Sequence, residues 1–81
     1  MPEPHKLVPV DYRVLIKVFE RDGFRVSRQK GDHISMTKPG VLRPLVIKTS
    51  PHKVPIAHIR TNMTTAGMSR ERFFELLDQA S

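Results

Sequence analysis

The amino-acid sequence predicts an α+β domain in which one helix precedes a three-stranded antiparallel sheet and two helical segments follow it. Three observations carry this reading. Apolar residues recur three and four apart between Asp11 and Asp22; apolar and polar residues alternate on both sides of a Gly31-Asp32 reversal; and helical spacing returns after Val54. A chain of 81 residues has room for one hydrophobic core.

Residues 1–10 contain three prolines and no helical period, which predicts an extended arm ahead of a domain over residues 11–81. Asp11 stands where a carboxylate can accept from an unpaired amide, and Tyr12, Leu15, Ile16 and Phe19 follow at helical spacing. The first helix is therefore expected from Asp11 to Asp22, with Gly23 suited to the left-handed position beyond its end. From Phe24 to Lys30 the period changes to two, with Phe24 and Val26 expected on one face and Arg25, Ser27 and Gln29 on the other. After Gly31-Asp32, Ile34 and Met36 alternate with His33, Ser35 and Thr37, so His33 should lie on the face opposite the core. Lys38-Pro39-Gly40 signals a turn, and residues 41–47 read as a third strand. Pro44 has no amide for an interior ladder, which implies an edge position, a bulge or a later start. Residues 49–54 read as a polar connection. Ile56, Ile59, Met63 and Ala66 then mark a second helix ending at Gly67. Ser69 can cap a short last helix whose stripe is Phe73, Leu76, Leu77 and Ala80.

Composition narrows the function classes. Fourteen Lys and Arg against eight Asp and Glu give a formal charge of +6, enough to attract a polyanion; solvated surface charge is the plain alternative. Without cysteine the chain holds neither a disulfide framework nor a thiolate zinc site. No apolar run approaches the roughly 20 residues that span a bilayer. Met1-Pro2-Glu3-Pro4 also lacks the layout of a secretory signal, so the expected location is the cytoplasm.

The four histidines, His5, His33, His52 and His58, match no zinc spacing, and no metal or cofactor is expected. No serine occupies a nucleophile elbow, which removes the Ser-His-Asp hydrolases. His33 differs from the other histidines because its strand aims it outward, beside a turn and near the basic residues Arg28, Lys30 and Lys38. An imidazole titrates near neutrality and can take a proton from a ribose 2′-hydroxyl or deliver one to a departing oxygen. Cations beside it can stabilise charge developing on a phosphate. Phe73 and Phe74 read as core more readily than as base-stacking groups, and Lys53 and Arg60 as phosphate contacts or solvated charges alike.

Taken in order, these parts resemble the HicA-like mRNA-cleaving toxins over almost the whole of Asp11 to Leu77. The resemblance is carried by the helix closing on Gly23-Phe24, by RQKGDH at Arg28 to His33, by HKVPIAHIR at His52 to Arg60, and by AGMSRERFFELL at Ala66 to Leu77. It implies a double-stranded-RNA-binding-like αβββα fold with a C-terminal helix. It further implies metal-independent mRNA cleavage, silencing by a HicB-like antitoxin, a catalytic histidine at His33 and the family's pre-strand glycine at Gly31. Arg28, Lys30, Gly31, Lys38 and Lys53 are the expected RNA contacts. Asp32 stands where the family has a small serine, which either orients His33 or repels phosphate. Ala57-His58-Ile59-Arg60 departs from the family's Gly-Thr-Leu-Arg, so His58 inherits no role. A non-catalytic RNA-binding module of the same fold, and a domain that docks an acidic protein, are the competing expectations.

Overall fold

Asp11 does two things at the entry to the domain. Its backbone closes a two-residue strand, β1 (Val10–Asp11), and its carboxylate caps helix α1 (Tyr12–Arg21), accepting from the Arg13 amide at 2.9 Å. Hydrogen bonds from the Arg13 side chain, at 3.1 Å and 3.0 Å, are the main reason its carboxyl is lowered to about 2, with the Arg13 amide second. The computed structural model describes residues 6–80. The start of the expected arm, residues 1–5 with His5, lies outside the described residues.

Helix α1 buries Leu15, Val18 and Phe19, the first and last of which the apolar spacing marks. It ends as Gly23 turns to φ +101° and the Phe24 amide reaches back to the Phe19 carbonyl at 3.0 Å. Phe24 is thereby dropped into the core, its ring edge-on to Phe19 at 5.8 Å.

The sheet follows in the order β2 (Arg25–Lys30), β3 (His33–Thr37), β4 (Leu45–Lys48), with both pairings antiparallel. In β3 the alternation holds: Ile34 and Met36 are buried, while His33 and Thr37 are exposed. Val26 shares the face of its buried partner Met36, yet its own side chain is 47% exposed. It sits where the register shifts between Val26 and Arg28, on an outer strand with every residue exposed. The third strand starts at Leu45 rather than at residue 41, because Pro44 cannot donate to the ladder and the chain pairs only after it.

The connection at 49–54 also contains a strand the sequence did not announce. β5 (Lys53–Val54) pairs with β1 in the register Val10↔Val54 and Asp11↔Lys53. Two residues are too few to show a period, but Val10 and Val54 are both buried in the core. Helix α2 (Ile56–Ala66) buries Ile59 and Met63 and packs beside β4; Gly67, at φ +65°, ends it. Ser69 then caps helix α3 (Arg70–Ala80) through a bond from the Arg72 amide to its Oγ at 3.1 Å. Phe73, Phe74 and Leu76 of α3 are buried, and α3 packs on α1. Helices thus cover one face of the sheet and leave the other open. Among the described residues no helix is long and apolar enough to cross a membrane.

Candidate active site

The open face is organised by the hairpin that joins β2 to β3. Gly31 takes φ +58°, which its missing Cβ makes inexpensive, and completes a two-residue reversal with Asp32. Apart from its chain neighbours, no atom lies within 4 Å of where a Gly31 Cβ would stand, so glycine serves the backbone there rather than close packing. The Thr49 amide donates to the Asp32 carbonyl at 2.9 Å, tying the turn to the residue after β4. His33, first in the central strand, is therefore held from both sides.

Across the sheet His33 is directly opposite Lys30 on β2 and Lys48 on β4. Directly paired residues share a face with Cβ atoms about 4.5–5.5 Å apart, so the imidazole stands between two ammonium stems. Its Nδ1 lies 3.1 Å from Asp32 Oδ1, and both side chains are about half exposed, at 49% and 51%. The Asp32 carboxylate thus lies on the Nδ1 side of the ring, and Nε2 is the other ring nitrogen, which can accept a proton.

Two depressions meet at His33. The larger, about 590 Å³, is bounded by Arg28, Lys30, Gly31, Asp32, His33 and Val46. The smaller, about 200 Å³, lies between the sheet and α2 and is bounded by His33, Val46, Lys48, His58, Thr61 and Asn62. Asn62 is only 4% exposed; its Nδ2 donates to the Val46 carbonyl at 3.0 Å and pins α2 against β4. Among the described residues Arg28, Lys30 and Lys48 have no carboxylate partner. No group of three or more His, Cys, Asp or Glu among those residues could hold a metal ion.

Of the expected site residues, Arg28, Lys30, Gly31 and His33 come together. Lys38 does not. It follows β3 at the end opposite His33, with Nζ 3.3 Å from Asp22 Oδ2 and 5.6 Å from the centre of the Phe24 ring. Lys53 is opposite Asp11 in the separate β1–β5 ladder and lines neither depression. Lys48 was missed because the third strand was expected to stop at residue 47. His58 was passed over, although His58, Thr61 and Asn62, at positions i, i+3 and i+4 on one helix, form a polar strip that the spacing could have revealed.

A three-stranded antiparallel sheet with helices on one face and cations on the other defines a double-stranded-RNA-binding-like α+β domain. Residues 12–68 match the family model described as the HicA toxin of bacterial toxin-antitoxin systems. The chain belongs to the HicA toxin family, whose members are generally mRNA-cleaving toxins paired with HicB antitoxins. No curated protein and no solved structure matches it. The match stops at Met68, so α3 lies beyond it.

Proposed function

We propose that this protein is an endoribonuclease toxin that cleaves mRNA in the cytoplasm without a metal ion, using His33 for acid-base chemistry. One observation supports this reading above others: an exposed imidazole, its Nδ1 3.1 Å from Asp32, stands between Lys30 and Lys48 at the junction of two depressions. In this scheme Nε2 takes the proton of a ribose 2′-hydroxyl and the freed oxygen attacks the adjacent phosphorus. The P–O2′ bond forms, the P–O5′ bond breaks and the departing 5′-oxygen takes up a proton, so that the products are a cyclic phosphate and a free 5′-hydroxyl. Arg28, Lys30 and Lys48 bind the phosphates and offset the charge that builds on the transferring group.

Incubation of the purified protein with RNA in excess chelator tests the scheme. Fragments with 2′,3′-cyclic phosphate ends are expected. A strict requirement for a divalent metal rules out the metal-free route, and salt-sensitive binding without fragments favours a non-catalytic RNA-binding module. The HicB-like antitoxin is expected to lay acidic groups over the His33 face. Raising salt should then slow its association more than it speeds its dissociation.

A further inference from the structure

The cleft between β4 and α2 offers a second imidazole that the reading above leaves unused. We infer that His58 is the general acid of the same reaction, protonating the departing 5′-oxygen while His33 acts as the base; this assignment rests on the nuclease reading of His33.

The placement follows from how α2 is fixed. Asn62 is bonded to the Val46 carbonyl, which sets the height of the helix along the strand. His58 is four residues before Asn62, about 6 Å along a helix axis at 1.5 Å per residue. Lys48 is two residues beyond Val46, about 6.6 Å along a strand. One step along each element therefore carries the Asn62–Val46 contact to His58 and Lys48, and Lys48 is the direct partner of His33. All of these side chains bound the one 200 Å³ cleft. That is less than the roughly 300 Å³ at which pockets begin to enclose whole small molecules, and suits a phosphodiester with its flanking oxygens.

The chemistry needs such a pair. In an in-line displacement the 2′-oxygen enters on one side of phosphorus while the 5′-oxygen leaves on the other, and one imidazole cannot stand at both positions in a single step. His33 has its Nδ1 at Asp32, which leaves Nε2 to take the 2′-hydroxyl proton. His58, entering as imidazolium, gives its proton to the 5′-oxygen as the P–O5′ bond breaks. The two histidines have then exchanged protonation states, and solvent resets both. Lys48 stands in the same cleft to hold the phosphate. The titratable groups facing His58 across the cleft are His33, with its partner Asp32, on the β2–β3 hairpin and Lys48 on β4; along α2 the cleft positions are the neutral Thr61 and Asn62.

The test compares His58→Ala, His58→Gln and His33→Ala on an ordinary RNA dinucleotide and on one whose 5′-oxygen is replaced by sulfur, a leaving group that needs no proton. His58→Ala and His58→Gln should lower kcat about 10²–10⁴-fold on the ordinary substrate with KM little changed. The alkaline limb of the kcat/KM profile should vanish, and the sulfur substrate should restore the parental rate. His33→Ala should remain inactive on both. Because His58 is exposed, both variants should melt like the parent. Parental rates and an intact alkaline limb in the His58 variants overturn this assignment alone, as does slow cleavage that sulfur fails to rescue. A parent protein that leaves RNA intact overturns the nuclease reading and this assignment together.

Discussion

The two ends of the sheet both carry cations and use them differently. At the hairpin end, Arg28, Lys30 and Lys48 surround His33 with no carboxylate bound to them among the described residues, while the nearby acid, Asp32, lies 3.1 Å from the imidazole. At the other end Asp22 takes Lys38 at 3.3 Å on one oxygen and Arg72 of α3 at 3.4 Å on the other. The Asp22 side chain is only 15% exposed, and Arg72 also reaches Glu75 at 2.6 Å. One end is a structural junction joining the close of α1, the end of β3 and the start of α3. The other leaves its positive charge available to a ligand. Excess charge in a sequence is thus not a footprint; what matters is which cations the fold has already matched with acids.

The largest contrast is expected from His33→Ala. If the hairpin end is the reactive one, cleavage and toxicity should fall about 10²–10⁴-fold, with RNA affinity within a few-fold of the parent. Folding should hardly register the change, because an exposed substitution typically costs less than about 1 kcal/mol. Growth arrest under induced expression, cleavage assays and a thermal melt read these separately. Arrest and cutting at the parental level would remove His33 from the mechanism, and an unfolded variant would make it structural.

Asp22→Asn should show the reverse. It keeps the shape of the side chain and removes the charge that two cations share. After discounting for the partial exposure of Lys38 and Arg72, the loss should be about 1 kcal/mol. In a domain of this size that lowers the thermal midpoint by about 4–8 °C. Cleavage by the folded variant should be unchanged. An unaltered melt, or a fall in activity matching that of His33→Ala, would erase the distinction between the two ends.

How far the sequence revealed this division depends on the length of the local signal. Helix α1, strand β3 and the cap at Ser69 were legible because several residues repeat one period or one capping chemistry. Strands β1 and β5 were not, since two residues define no period and their pairing joins segments more than forty positions apart. The outward face of His33 was legible from alternation alone. The loss of Lys38 to Asp22 depends on a contact across sixteen positions, and the approach of His58 to the sheet depends on where Asn62 seats α2. The pattern at Val26 encodes a side of the strand and not whether a helix covers that side.

Neutralising single lysines measures the contrast without touching the imidazole. Lys30→Gln and Lys48→Gln should each weaken RNA binding several-fold at low salt. Each should also reduce the slope of log affinity against log salt by about 0.7, the value for one phosphate contact on a single strand. Lys38→Gln should leave that slope alone, since its charge is already matched by Asp22. Binding titrations across a salt series decide this. Equal slopes for all three variants would show that net charge, rather than placement, governs binding.

The smallest effect, and the one that divides most finely, concerns Asp32, the acid at the hairpin end. Replacing it with serine removes a negative charge from the path of the phosphate and also removes the carboxylate 3.1 Å from His33 Nδ1. These losses act on different constants. At about 4 Å in water one unit charge interacts with another by about 1 kcal/mol, so relief of repulsion should lower KM by up to about fivefold. Loss of the adjacent carboxylate lets the imidazole turn and exchange tautomers more freely, which lowers the fraction poised as a base and hence kcat. Both side chains are half exposed, so water takes over part of the orienting role and the fall in kcat should also stay within about tenfold. Asp32→Asn separates the terms, because it keeps a polar oxygen of the same reach beside Nδ1 while the charge is gone; it should lower KM as serine does and retain more of kcat. If serine raises kcat instead, Asp32 restrains the site rather than orienting it, and the hairpin end would then resemble the Asp22 junction, where an acid holds positive charge away from a ligand.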